Sequence, residues 1–198
     1  GFGWLLALWD VLLADMWVAE GFVFLSILVN PHFPLAIGLM LLLFLAVLTP
    51  GEHRPASRRP AAATAGGLLL AMVQPFAVPV VLVVLAAYLA LRTALERRVP
   101  WSEALVTAAL AIGAAPIMLY DLYLSRVNPA LAAWSAQNVT SSLPPWDYAL
   151  GYGLVLLLAI PGLVSAARRR RPTDLFLLAW AGSVAVLLYV PFALQRRF

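Results

Sequence analysis

Asp10, Asp15, Glu20 and His32 are the side chains in the first part of the chain best suited to acid–base or metal chemistry. Carboxylates set in apolar sequence can carry protons, hold cations or work in pairs as general acid and base. Steps of five residues turn a helix by about 500°, so the three acids do not share one helical face. Asp15, Glu20 and His32 are the catalytic candidates. Glu20 and His32 bracket a turn and would suit one external pocket. The plain alternative is a set of acids near a helix end, hydrated or paired with arginine.

His53 is the only other histidine, and no His/Asp/Glu spacing matches a metal-binding motif. A transmembrane b-type haem takes two imidazoles from within the bilayer, and this chain offers one. No metal and no cofactor are expected. The absence of cysteine excludes disulfides, iron–sulfur ligation and thiolate chemistry.

A second chemistry is suggested by Arg126, Arg196 and Arg197. The planar guanidinium fork suits phosphate oxygens, so these three are candidates for a lipid phosphate. Pairing with Asp121, Asp147 or an ordinary headgroup serves equally well. Asp121 and Arg126 lie five apart, within reach only if the helix loosens. With Tyr120 and Tyr123 they also read as an interfacial belt. Asn138-Val139-Thr140 has the form of a glycosylation acceptor, but would read as an ordinary loop if the chain is bacterial.

The elements that must position these groups follow from solvent. Of 198 residues, 64% are hydrophobic and 11% charged, against about 25% charged in a soluble domain. The apolar residues come in runs of about 15 to 25, the length that crosses a ~30 Å hydrocarbon layer as helix. They show no period of two, which disfavours a β-barrel. The expected fold is all-α: a polytopic transmembrane bundle in a single domain, residues 1–198, with six or seven membrane segments.

Residues 1–30 form an ambiguous apolar or interfacial segment, carrying Trp4, Trp9 and Trp17. Membrane helices are expected at 33–49, 61–74, 76–91, 101–124, 149–167 and 175–194, with an external loop at 125–148. Pro75 and Pro79 break the long run 61–91 into a short helical hairpin. Pro116 marks a kink, Ser102 with Glu103 a helix start, and Thr173-Asp174 a cap. Gly66-Gly67 and Gly151 with Gly153 permit close helix approach.

All thirteen basic residues are arginine, and ten fall in three clusters: Arg54, Arg58 and Arg59; Arg92, Arg97 and Arg98; Arg168 to Arg171. Short basic loops flanking spans mark the cytoplasmic side. Loops 51–60, 92–98 and 168–171 are therefore expected to share that side, against phospholipid headgroups rather than nucleic acid. Lysine is absent and the linkers are rich in Ala, Arg and Pro, which suggests a bacterial inner-membrane protein. The opening Gly-Phe-Gly-Trp does not begin like a signal peptide.

Several short motifs, in order, carry a resemblance. They are Asn30-Pro31-His32-Phe33-Pro34, Gln74-Pro75-Phe76, Gln137-Asn138, Leu150-Gly151-Tyr152-Gly153, Leu178-Ala179-Trp180, and Tyr189-Val190-Pro191-Phe192 through Gln195-Arg196-Arg197-Phe198. Together they resemble the membrane core of bacterial GT-C-type glycosyltransferase-like proteins. The resemblance implies a polyprenyl-phosphate sugar donor, an external acceptor and a catalytic carboxylate in the first external loop. No acidic pair here matches that loop residue by residue.

Two roles are therefore expected. The first is a non-catalytic polytopic subunit, a scaffold or accessory component of a larger bacterial membrane complex such as a respiratory or photosynthetic assembly. Its partners would be membrane lipids and other membrane subunits. The second is a GT-C-type transferase, or a piece of one. A transporter has little support, since no buried charge network or symmetric pair of broken helices is visible.

Overall fold

Proline and arginine punctuate the chain where the apolar runs end, and the helices follow that punctuation. The computed structural model describes residues 7–9, 31–49, 58–137 (backbone only at 134–137) and 142–190. After a 3-10 turn at Ala7–Trp9 come α1 (His32–Leu48), α2 (Arg58–Val73), α3 (Ala77–Glu96), α4 (Trp101–Val127), α5 (Pro129–Gln137), α6 (Pro145–Arg169) and α7 (Pro172–Leu187). Among the described residues there is no strand, and the protein is all-α.

Three helices, α3, α4 and α6, are long and apolar enough to cross a bilayer. α1 and α7 are apolar but have 17 and 16 residues. At 1.5 Å per residue such helices reach about 25 Å, short of a ~30 Å hydrocarbon core. Six or seven segments were expected; among the described residues three helices attain spanning length.

Several bounds differ from expectation. α3 runs on to Glu96, so Arg92 is a helical residue, and Arg168 and Arg169 likewise lie on α6. The stretch 125–148, expected as a loop, contains α5. Asn128 makes the junction: its N–H donates to the Leu124 carbonyl at 3.0 Å and its Oδ1 accepts from the Ala130 N–H at 3.0 Å. α4 continues through Pro116. α6 bends at Gly153 (φ 44°, ψ −116°), a conformation open only to a residue without Cβ.

The helix directions follow from close contacts. Gly113 on α4 lies against the Thr64 backbone on α2, and Gly67 against that of Leu110. Three residues forward on α2 is thus three residues back on α4, so the two run antiparallel. α1 is also antiparallel to α2: Gly66 meets the Leu43 side chain, and Arg59 Nη2 donates to the Ala46 carbonyl at 2.9 Å. α1 and α4 are therefore parallel.

α3 and α7 form the other main pair. Tyr88 and Phe176 stack edge to face at 5.8 Å. The buried positions of α3 precede Tyr88, whereas Phe176, Ala179 and Ser183 on α7 run forward. Only an antiparallel pairing covers both faces. Phe44 of α1 joins the pairs, 4.9 Å from Phe176 and 5.0 Å from Trp180.

The 74–79 break is present, with α2 ending at Val73 and α3 starting at Ala77. Its two arms do not lie on one another, however. α2 packs along α4 and α3 along α7. Continuing the α2–α4 register, Val73 falls near Ala104, the end of α4 where α3 also finishes. α3 therefore begins and ends at one end of that pair and must lie across it.

This packing bears on the expected sidedness of the arginine clusters. Arg59 falls level with Met118, about 25 Å along α4 from Trp101. If α4 crosses a bilayer, Arg58 and Arg59 flank one face and Arg97 and Arg98 the other. The second and third basic clusters do share an end, because α3 finishes where antiparallel α7 begins. Arg58 and Arg59 do not join them.

Candidate functional site

The densest group of ionisable side chains sits where α3 ends and α4 begins. Arg97 closes α3 in the left-handed region (φ 53°, ψ 26°). Pro100 then starts α4, its carbonyl accepting the Ala104 N–H at 3.0 Å. This tight turn folds the last turns of α3 back onto Glu103, in the first turn of α4, where a carboxylate also favours the helix N-terminus.

Arg92 is the hub. Its Nε and Nη2 each donate at 2.8 Å to the two carboxylate oxygens of Glu96, one helical turn on. Its Nη1 donates to Glu103 Oε1 at 2.6 Å and to the Tyr88 hydroxyl at 3.2 Å. Ser102 donates to the other Glu103 oxygen. The side chains of Arg92 and Glu103 are only 14% and 15% exposed. Charge-assisted bonds of this length are among the stronger ones, and they occupy every nitrogen of the guanidinium. The arrangement binds two helices together and commits four of the five guanidinium N–H donors to the protein itself.

A second bridge repeats the device at the α6–α7 turn. Arg170 closes α6 in the left-handed region (φ 54°, ψ 26°). Arg169 then reaches the buried Asp174 with Nε at 3.2 Å and Nη2 at 3.1 Å. Asp174 thus sits in the first turn of α7, which starts at Pro172, and spends its carboxylate on Arg169 rather than on a helix cap.

The residues singled out in the sequence fare unevenly. Asp15, Glu20, Arg196 and Arg197 lie outside the described residues. His32 stands exposed at the start of α1, its ring 4.6 Å from that of Phe33. Arg126 is exposed in the last turn of α4 and, among the described residues, makes no ion pair with Asp121. Since α1 and α4 run parallel, His32 at one start and Arg126 at the other finish lie at opposite ends. The structure does not bring them together.

Sequence reasoning took Arg92 for a loop arginine and missed its pairing with Glu103 across the turn. It also missed Gly113. A signal existed there: small residues recur every fourth position as Ala63, Gly67 and Ala71 on α2 and as Ala109 and Gly113 on α4, and all five are buried.

Among the described residues no cluster of three metal-ligating side chains occurs. A shallow apolar hollow of about 360 Å³ on α7 is lined by Leu177, Trp180, Ala181 and Val184. Compared with known proteins, the chain matches no family model, no curated protein and no solved structure, and its role is read from its own residues.

Proposed function

We propose that this chain is a non-catalytic, multi-pass subunit of the bacterial inner membrane, a scaffold on which other membrane subunits of a larger complex assemble. The observation that carries this reading is α6. Among the described residues it packs appreciably only against α7, and Leu154, Val155, Leu157, Leu158 and Ile160 are exposed around it. A spanning helix held by one neighbour offers most of its circumference to lipid or to another subunit. The bundle's best-buried ionic groups meanwhile serve to hold α3 to α4 and α6 to α7.

A lipid-linked sugar transferase is favoured less, because His32 and Arg126, its two candidate residues within the described structure, stand at opposite ends. Extraction at native expression level in a mild detergent, followed by native sizing and mass identification, tests the proposal. Stoichiometric co-migration with another membrane protein is expected. A monodisperse, partner-free chain would overturn it.

A further inference from the structure

We propose that the α3–α4 and α6–α7 turns together form one docking surface for anionic phospholipid headgroups, a site distinct from Arg126, Arg196 and Arg197. Each turn divides its arginines in the same way. One is tied to acids of its own turn, the largely covered Arg92 to Glu96 and Glu103, the half-exposed Arg169 to the buried Asp174. The others, Arg97, Arg98, Arg168, Arg170 and Arg171, are exposed, and none pairs with an acid among the described residues. Each turn also places an arginine, Arg97 or Arg170, in the left-handed position that ends its helix.

The antiparallel α3–α7 pair brings the two turns to one end. From the stacked Tyr88 and Phe176, Arg97 lies about 13 Å along α3 and Arg171 about 8 Å along α7 in the same direction. The nearby acids are already engaged: Asp174 is neutralised by Arg169, and the Arg92 group carries one surplus negative charge. Among the described residues, five guanidinium groups without an acid partner face that single charge.

Trp101, three residues after Arg98 and 70% exposed, is a side chain suited to the headgroup level, where indole rings concentrate. A cationic end with an interfacial indole at its rim fits the phosphates of an anionic leaflet, with the forks free to take phosphate oxygens.

The test uses the full chain in nanodiscs of phosphatidylglycerol and phosphatidylcholine in equal parts, with the lipid that stays bound after gentle release counted by native mass spectrometry. The wild type should enrich phosphatidylglycerol. Arginine near an anionic surface is worth on the order of a fivefold change in binding. Arg97→Gln with Arg98→Gln, and separately Arg170→Gln with Arg171→Gln, should each lower the enrichment at least about fivefold. All four together should abolish it.

The corresponding Lys variants keep the charge and should keep the preference, which also covers a Gln variant that fails to fold. Raising salt from about 0.1 to 0.5 M should weaken wild-type enrichment by screening. No phosphatidylglycerol preference in the wild type, an unchanged preference in the fourfold Gln variant, or dependence on one turn alone would each overturn the shared surface.

Discussion

Replacing Gly113 with alanine strikes the closest helix contact described. An ideal Cβ there would stand 2.7 Å from the Thr64 carbonyl carbon and 2.8 Å from its Cα, where non-bonded carbons settle at about 3.5–4.0 Å. The obstacle is helix backbone, which cannot rotate aside, so α2 and α4 must part by roughly 1 Å. A gap of that size forfeits about a quarter to a half of each dispersion contact across it. Overpacking costs about 1–3 kcal/mol. Lipid is as apolar as leucine and gives helices no hydrophobic drive to associate, so packing carries the pair.

The expected loss for Gly113→Ala is therefore near the top of that range, about 3 kcal/mol. Gly38 and Gly182 are internal controls, with nothing within 4 Å of an added Cβ. Alanine there should be neutral or gain up to about 1 kcal/mol in helix propensity. Gly66 is intermediate: its Cβ would meet Leu43 Cδ2 at 2.8 Å, the end of a flexible side chain that can move. Gly67→Ala meets the Leu110 backbone, and one separation relieves both clashes. The double variant should thus lose less than the two singles combined. Circular dichroism during titration of mild-detergent micelles with dodecyl sulfate reads these differences. Equal midpoints for Gly113→Ala and Gly182→Ala, or strictly additive losses for the double variant, would refute the close-contact reasoning.

Two further outcomes are expected. Arg92→Gln leaves Glu96 and Glu103 facing each other, and should cost about 3 kcal/mol, the low end for a broken buried pair because neither partner is wholly out of solvent. A double-mutant cycle with Glu103→Gln should show coupling of about 1–3 kcal/mol; coupling near zero would mean the bridge is incidental. The chain has no cysteine, so Arg58→Cys and Arg98→Cys give clean single-site labels. In sealed vesicles a membrane-impermeant maleimide should reach one of them from outside and the other only after lysis. Labelling of both from one side would refute an antiparallel α2–α4 pair that crosses the membrane.

Much of the secondary structure was legible because its determinants are local. Pro75, Pro100, Pro144-Pro145 and Pro172 sit at breaks or helix starts, where a missing N–H and a restricted predecessor stop a preceding helix. Trp101 begins α4 as read. Helix ends were less legible. Arg92 and Glu96 read as loop charges, yet their i,i+4 bond extends α3 by a turn. The polar look of 125–148 concealed α5, which Asn128 nucleates with a single side-chain cap.

The candidate site was the least legible part. The Arg92–Glu103 bridge joins residues eleven apart, and that distance closes only because Arg97 turns left-handed and Pro100 redirects the chain. No periodicity announces such a pairing. Nor does composition distinguish the tied Arg169 from the exposed Arg168 and Arg170 beside it; the buried position of Asp174 does that.

By itself, then, the sequence determined the medium and the kind of element: helices rich enough in Leu, Ala and Val to live in lipid, broken at prolines and edged with arginine. Tertiary structure decided which helices pair, in which direction, and so which arginine clusters meet. The reason is that lipid and neighbouring helices are nearly equivalent surroundings for leucine, so an apolar helix carries no stripe naming its partner. Direction was settled instead by backbone contact at Gly67 and Gly113 and by aromatic stacking of Tyr88 on Phe176, contacts between residues far apart along the chain.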